Sequence, residues 1–241
     1  MITAVLFGNA SPDPERALGE LLRSTLVRNA VLLRSAETPD SKPRCETLVC
    51  DGPLCGETWN ALLAGSAARY LLFVPDAGRV HPDLRAPERL FEAAEAAGAS
   101  MAYADYAERS VDGLRERPLI DCQLGSLRDG FDFGPLILIS TSAARRALRR
   151  YGKIPSFRWA GWYDLRLKLS TDRLPFHLPE RLAVVDAAGE DGGGAAGHFS
   201  YVDPANRALQ MEMEQAVTAH LKRIGAFLEP SFLDVPRAAG P

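Results

Sequence analysis

The chain has 241 residues, 46% of them hydrophobic, enough to build a full core in one large α/β domain or two small ones. Its formal net charge is -3 and its pI is near 5.9, so it lacks the basic surplus expected of a nucleic-acid binder. No apolar run reaches the length of a membrane span. The start, Met1 to Phe7, has neither a basic flank nor a cleavage site, so it reads as a strand rather than a signal peptide, with a cytoplasmic location expected.

Ile2 to Phe7 is the first predicted strand and closes at Gly8-Asn9. Ser11-Pro12-Asp13-Pro14-Glu15 then opens a helix whose apolar face is Leu18, Leu21, Leu22 and Leu26. Ala30 to Leu33 is a second buried strand, and Ser35 to Lys42 a polar loop. Thr47 to Cys50 is a third strand, closed by Asp51-Gly52-Pro53. Gly56 to Ala68 is a helix with Trp59, Leu62 and Leu63 inward. Tyr70-Leu71-Leu72-Phe73-Val74 is a short continuous apolar run stopped by Pro75-Asp76-Ala77-Gly78, the signature of a buried parallel strand. Ligands of open α/β sheets bind beyond the carboxyl ends of such strands, which directs attention to Asp76. Pro82-Asp83 introduces a helix over Leu84 to Ala97, ended by Gly98, and Met101 to Tyr103 is a fifth strand ending near Asp105. Regular strand–helix alternation predicts a mainly parallel sheet with helices on both faces. No G-x-G-x-x-G follows the first strand, so a dinucleotide-binding unit is not supported.

The second half is less regular. Val111 to Arg117 reads as a charged hairpin or loop, Leu136 to Ile139 as a buried strand, and Thr141 to Arg150 as a helix. Trp162 to Ser170 has helical spacing. Phe176 to Pro179 and Leu182 to Val185 read as two short strands, and Gly189 to Gly197 is glycine-rich. Asp203-Pro204 caps a long helix to about Phe227, with Leu209, Met213, Ala216, Val217, His220, Leu221 and Ile224 near one stripe. Arg145, Arg146, Arg149 and Arg150 fall at helical spacing, as a solvated face would. Cys45, Cys50 and Cys55 are evenly spaced, but no C-x-x-C pair or nearby histidine supports a metal site, and free thiols are expected.

Four segments together resemble family 2 glycosyltransferases of the GT-A, nucleotide-diphospho-sugar transferase type. They are Tyr70-Leu-Leu-Phe-Val-Pro-Asp, Met101-Ala-Tyr-Ala-Asp-Tyr, Phe133-Gly-Pro-Leu-Ile-Leu-Ile and Tyr163-Asp-Leu-Arg-Leu-Lys-Leu-Ser. The resemblance spans roughly residues 1 to 185. Phe199 to Gln215 resembles the tail of a bacterial subgroup in which a further glycosyltransferase domain often follows. The organisation implied is a GT-A-like domain over 1–200, a C-terminal helix over 201–229 packed on it, and a tail or linker over 230–241.

The resemblance implies a nucleotide sugar bound across the ends of the parallel strands. It also implies a divalent metal (Mn or Mg) held by Asp-x-Asp, and a carboxylate that deprotonates a glycan or lipid-linked acceptor. Such a site needs charge stabilisation on the leaving side and a general base on the attacking side. The sequence departs from the pattern at each acidic point. Leu33-Arg34-Ser35 stands where an acid for base or ribose belongs. Pro75-Asp76-Ala77 keeps one carboxylate of the Asp-x-Asp, and Gly161-Trp162 stands where the base belongs.

The candidates are therefore substitutes. Asp76 and Asp105 could ligate a metal, or could each serve a turn. Gly8, Asn9 and Arg34 could face the nucleotide, although a tight turn explains the first two and a surface role the third. Asp164 is the substitute base, or else an ion-pair partner of Arg166 or Lys168. His177 and His198 could bind phosphate or exchange protons. Three functions stay open: sugar transfer from a nucleotide-diphosphate sugar, a catalytically degenerate binding or scaffolding module next to an active domain, or an unrelated nucleotide-binding α/β protein.

Overall fold

The computed structural model describes residues 1–8, 14–35, 43–187 and 206–231. Asn9, His198, the glycine-rich stretch, Asp203-Pro204 and residues 232–241 of the tail lie outside the described residues. In chain order the elements are β1 (Ile2–Phe7), α1 (Glu15–Leu22), β2 (Val27–Arg34), β3 (Cys45–Val49), α2 (Gly56–Gly65), β4 (Tyr70–Val74), β5 (Val80–Pro82) and α3 (Ala86–Ala97). There follow β6 (Met101–Ser110), β7 (Gly113–Arg117), β8 (Ile137–Ser140), α4 (Thr141–Tyr151), α5 (Gly161–Asp172), β9 (Phe176–Asp186) and α6 (Arg207–Arg223).

The strands form one sheet in the order β3-β2-β1-β4-β8-β6-β9-β5, with β7 paired to β6. β1 lies parallel to β2 and β4, and β2 parallel to β3. β8 is antiparallel to both of its neighbours, β4 and β6, so β6 runs the same way as β4; β9 is parallel to β6. The expected mainly parallel sheet is therefore present, with β8, β5 and β7 running against it. The register Phe73↔Ile137 and Tyr103↔Ile137 sets the carboxyl end of β4 level with Asp105 on β6.

β4 shows why the sheet is buried on both faces. All five of its residues are buried, and successive side chains alternate between layers. Leu72 and Val74 pack with Leu18 and Leu21 of α1 and Leu90 of α3. Leu71 and Phe73 pack with Trp59 of α2, Ala144 of α4 and Leu165 of α5. Each such large apolar side chain contributes about 1.5–3 kcal/mol by burial, so both layers stabilise the strand. Gly134, entering β8 at φ 68°, has its Cβ position 2.9 Å from the Ala104 carbonyl oxygen, and only glycine fits there.

Two expectations are corrected. Phe176 to Pro179 and Leu182 to Val185 are one strand, β9. Its register with β6 jumps from Ala104↔Leu178 to Asp105↔Arg181, so Pro179 and Glu180 form a bulge where a proline costs no ladder hydrogen bond. Arg145 is not part of a solvated face. Its guanidinium donates to the carbonyls of Leu63 (2.7 Å) and Ser66 (2.5 Å) and so satisfies the open C-terminal end of α2. β5 escaped the sequence reading because three residues carry too little pattern.

The C-terminal helix packs on the rest. Ala216 and His220 of α6 are buried, and Met213 and Val217 flank them against Phe157, Ala160, Tyr163 and Leu167. No disulfide links the cysteines. Among the described residues no helix is long and apolar enough to cross a membrane.

Candidate functional site

The carboxyl ends of β1 and β4 are joined by a hydrogen bond from Ala77 N to the Phe7 carbonyl (2.8 Å), which fixes the turn that carries Asp76. Gly8 follows directly. Its Cβ position is 2.9 Å from Pro14 Cβ, so the close approach of the α1 entry accounts for the glycine. Arg34 closes β2, half-buried, with its carbonyl accepting from Cys50 N (2.9 Å).

Asp76 is already engaged. Arg79 reaches one oxygen of its carboxylate through both Nε and Nη2, each at 2.6 Å. Arg79 Nη1 donates to the Asp186 carbonyl (3.3 Å), and Asp186 N donates back to the Arg79 carbonyl (2.9 Å). The Asp186 carboxylate pairs with His81 Nε2 (2.6 Å) and Arg109 Nη1 (3.2 Å). A guanidinium therefore stands beside the carboxylate that the sequence resemblance singles out for a metal. A divalent cation would have to displace it.

Asp105 belongs to a different cluster. Its Oδ1 accepts from Leu119 N (2.8 Å) and lies 2.7 Å from His177 Nε2. The other ring nitrogen of His177 is 2.9 Å from Asp121 Oδ1, and the imidazole stacks on Tyr103 with centroids 5.0 Å apart. The Tyr103 hydroxyl donates to the Ile120 carbonyl (2.6 Å) and accepts from Cys122 N (2.9 Å); burial pushes its pKa well up. Asp105, Tyr103 and His177 thus pin the segment 119–122. The fold brings Asp76 and Asp105 to the same end of the sheet but gives them separate partners. Among the described residues no group of three or more His, Cys, Asp or Glu is placed to hold a metal ion. The position of His177 was illegible in sequence, because it follows from the parallel pairing Tyr103↔His177 across more than seventy residues.

On the expected acceptor side, Asp164 lies in the first turn of α5 with its side chain 3% exposed. It is paired with Lys168, whose ammonium also donates to the Lys153 carbonyl (3.1 Å). Burial pushes the Asp164 carboxyl up and the Lys168 amine down, and the pair opposes both shifts. Sealed in this way, Asp164 holds Lys168 and is not placed to take a proton from an acceptor. The alternative read from the sequence, an i,i+4 ion pair, is the one observed.

The positions before it have no room for an acid. The Cβ position of Gly161 lies 2.3 Å from the backbone nitrogen of Gly56, and that of Gly56 lies 2.1 Å from the Pro155 carbonyl oxygen. The Trp162 ring packs on Trp59 (5.1 Å) and Phe73 (5.3 Å). The backbone amides of Arg158, Trp159 and Ala160 all donate to the Glu212 carboxylate of α6, at 3.0, 2.8 and 3.2 Å. The open amino end of α5 is thus filled by a carboxylate from the C-terminal helix. Nothing in the local sequence announces Glu212, which acts across more than fifty residues.

No known family model matches the chain, and no curated protein matches it. Solved structures of S. aureus TarS 1-349 do. The complex with UDP-GlcNAc superposes with a TM-score of 0.57 at 11% identity, covering 92% of this chain and 73% of that one. TarS 1-349 crystallised without a named ligand gives 0.55 at 12%, covering 94% and 72%. The UDP complex gives 0.53 at 13%, again covering 94% and 72%. The fold is GT-A-like, the mixed α/β, mostly parallel-sheet arrangement shared with these structures. At these identities the likeness carries the fold alone. The chemistry has to be argued from the residues.

Proposed function

We propose that this chain is a catalytically degenerate GT-A domain, a binding or scaffolding module that works beside an active glycosyltransferase domain. The observation that carries the reading is Gly161. With Trp162 it stands where the family resemblance places the catalytic base, and its backbone is pressed against that of Gly56, so the position lacks both a carboxylate and the space for one. General-base catalysis is worth about a hundredfold or more, and that contribution is missing from the acceptor side. On the donor side the single Asp76 is neutralised by Arg79. The UDP and UDP-GlcNAc complexes of TarS support nucleotide-sugar binding by a chain of this fold, and the carboxyl ends of the parallel strands, beside Asp76, are where an open α/β sheet takes its ligand. With its metal-binding acids reduced to one, that site takes the nucleotide sugar weakly and without transfer.

The test is calorimetric titration of the full chain with UDP-GlcNAc, with and without manganese, followed by an assay of donor hydrolysis. The expected result is weak binding at most, no gain on adding metal and no hydrolysis. Gly161→Glu should create no activity and should cost about 1–3 kcal/mol of stability through overpacking. Tight, metal-dependent binding with hydrolysis abolished by Asp76→Ala would overturn the reading and restore an active transferase.

A further inference from the structure

The opposite end of the sheet carries a cavity of about 710 Å³ at the amino ends of β4 and β6. Four arginines line it, from three separate places in the chain: Arg69 just before β4, Arg146 and Arg150 on α4, and Arg173 just after α5. The lining includes only two carboxylates among the described residues, Glu95 and Asp172. Arg69 is paired with Glu95, and Arg150 with Asp172 at 2.8 Å. Those two pairs account for both acids. Arg173 spends one nitrogen on the carbonyls of Ala97 (2.7 Å) and Gly98 (2.6 Å), at the C-terminal end of α3, which leaves its charge without a counter-ion in the cavity. Arg146 is exposed, and its side-chain hydrogen bond among the described residues is a single long one, to Ser142 Oγ at 3.4 Å.

Two guanidinium charges are thus left over in one concavity of a chain whose formal net charge is -3. A helix face that merely kept the protein soluble would scatter such charges, whereas here residues distant in sequence converge on one volume. The planar fork of arginine suits paired oxygens on a compact anion. We propose that this cavity is a binding site for a phosphoryl group carrying two negative charges, separate from the nucleotide-sugar end of the sheet. The phosphoryl group belongs either to a soluble phosphorylated compound or to a phospholipid headgroup. Arg146 is the principal ligand, with Arg173 second.

The test uses inorganic pyrophosphate as the probe, titrated calorimetrically into the full chain at low salt. Saturable binding of one equivalent is expected. Arg146→Gln should weaken it about tenfold or more. Arg149→Gln, which removes an exposed charge of the same helix outside the cavity, should change it less than twofold. Both variants should fold, since both side chains are exposed, and circular dichroism checks this. A second arm measures flotation with phosphatidylcholine vesicles with and without phosphatidic acid. Binding that needs phosphatidic acid and is competed by pyrophosphate assigns the site to a headgroup. Pyrophosphate binding without vesicle binding assigns it to a soluble ligand, and both outcomes uphold the site. It is overturned if pyrophosphate does not saturate, or if the two variants weaken binding equally, because diffuse charge would then be the whole effect.

Discussion

Asp76, in the turn after β4, and Asp164, in the first turn of α5, are each held by a basic residue three or four positions along the chain. In every other respect the two pairs differ. The Asp76 and Arg79 side chains are 47% and 35% exposed; those of Asp164 and Lys168 are 3% each. Water screens the first pair and is excluded from the second. The surface pair therefore bears on what can bind at the end of the sheet and contributes little to stability. The buried pair lies on the covered face of α5, so breaking it leaves a charge that nothing solvates. The same local signal, an acid and a base at helical spacing, thus produces a site feature in one region and a structural one in the other.

The comparison is most exposed to failure at Lys168. Lys168→Met should cost about 3–5 kcal/mol in denaturant unfolding, because Asp164 stays buried without its partner. The double variant Asp164→Leu with Lys168→Met should recover most of that loss, since a buried pair is nearly balanced by its own desolvation. A single-variant loss below about 1 kcal/mol would place Asp164 with the solvated acids, in the range expected of surface pairs.

A smaller effect comes from His220, on the face of α6 that packs against α5. Its pKa is lowered from 6.5 to about 4, first by burial and then by the charges of Arg223 and Arg166. The neutral ring is the form that fits, so its contribution is whole above pH 6.5. It is lost as the pH falls from 6.5 towards 4, because the unfolded chain takes up the proton first. The loss should be on the order of 3 kcal/mol across that window. Melting curves at pH 7 and pH 4.5 measure it, with His220→Gln flattening the difference. An unchanged slope in that variant would remove His220 as the cause.

Asp76→Ala should have the smallest effect. The ion pair with Arg79 is half in water, so stability should change by less than about 1 kcal/mol. Manganese should bind the variant as poorly as the parent in a calorimetric titration. A loss of several kcal/mol would show that the network through Arg79 and Asp186 carries load, and would erase the contrast with Asp164.

Local pattern was enough to read the frame. The apolar run Tyr70 to Val74 stopped by Pro75-Asp76 specifies a buried strand, and the spacing of Leu18 and Leu21, or of Ala216 and His220, specifies a helix face. These signals lie within a few residues of one another, because helix and strand periodicities are themselves short. The order of elements then specified the parallel half of the sheet, since crossover connections leave few topologies open.

What happens at the candidate site was decided by neighbours far apart in the chain. Only the pairing of β6 with β9 sets His177 against Asp105, and only the crossing of two backbones makes glycine obligatory at both Gly56 and Gly161. Arg145 turned from a surface charge into the cap of α2, and Glu212 became the cap of α5, through contacts to backbone amides and carbonyls that no side-chain pattern records. The sequence by itself determined which acids and bases are available. Tertiary structure decided which of them are already taken, because a charge is neutralised by whatever group the fold brings within about 3 Å of it and desolvated by whatever packs around that pair.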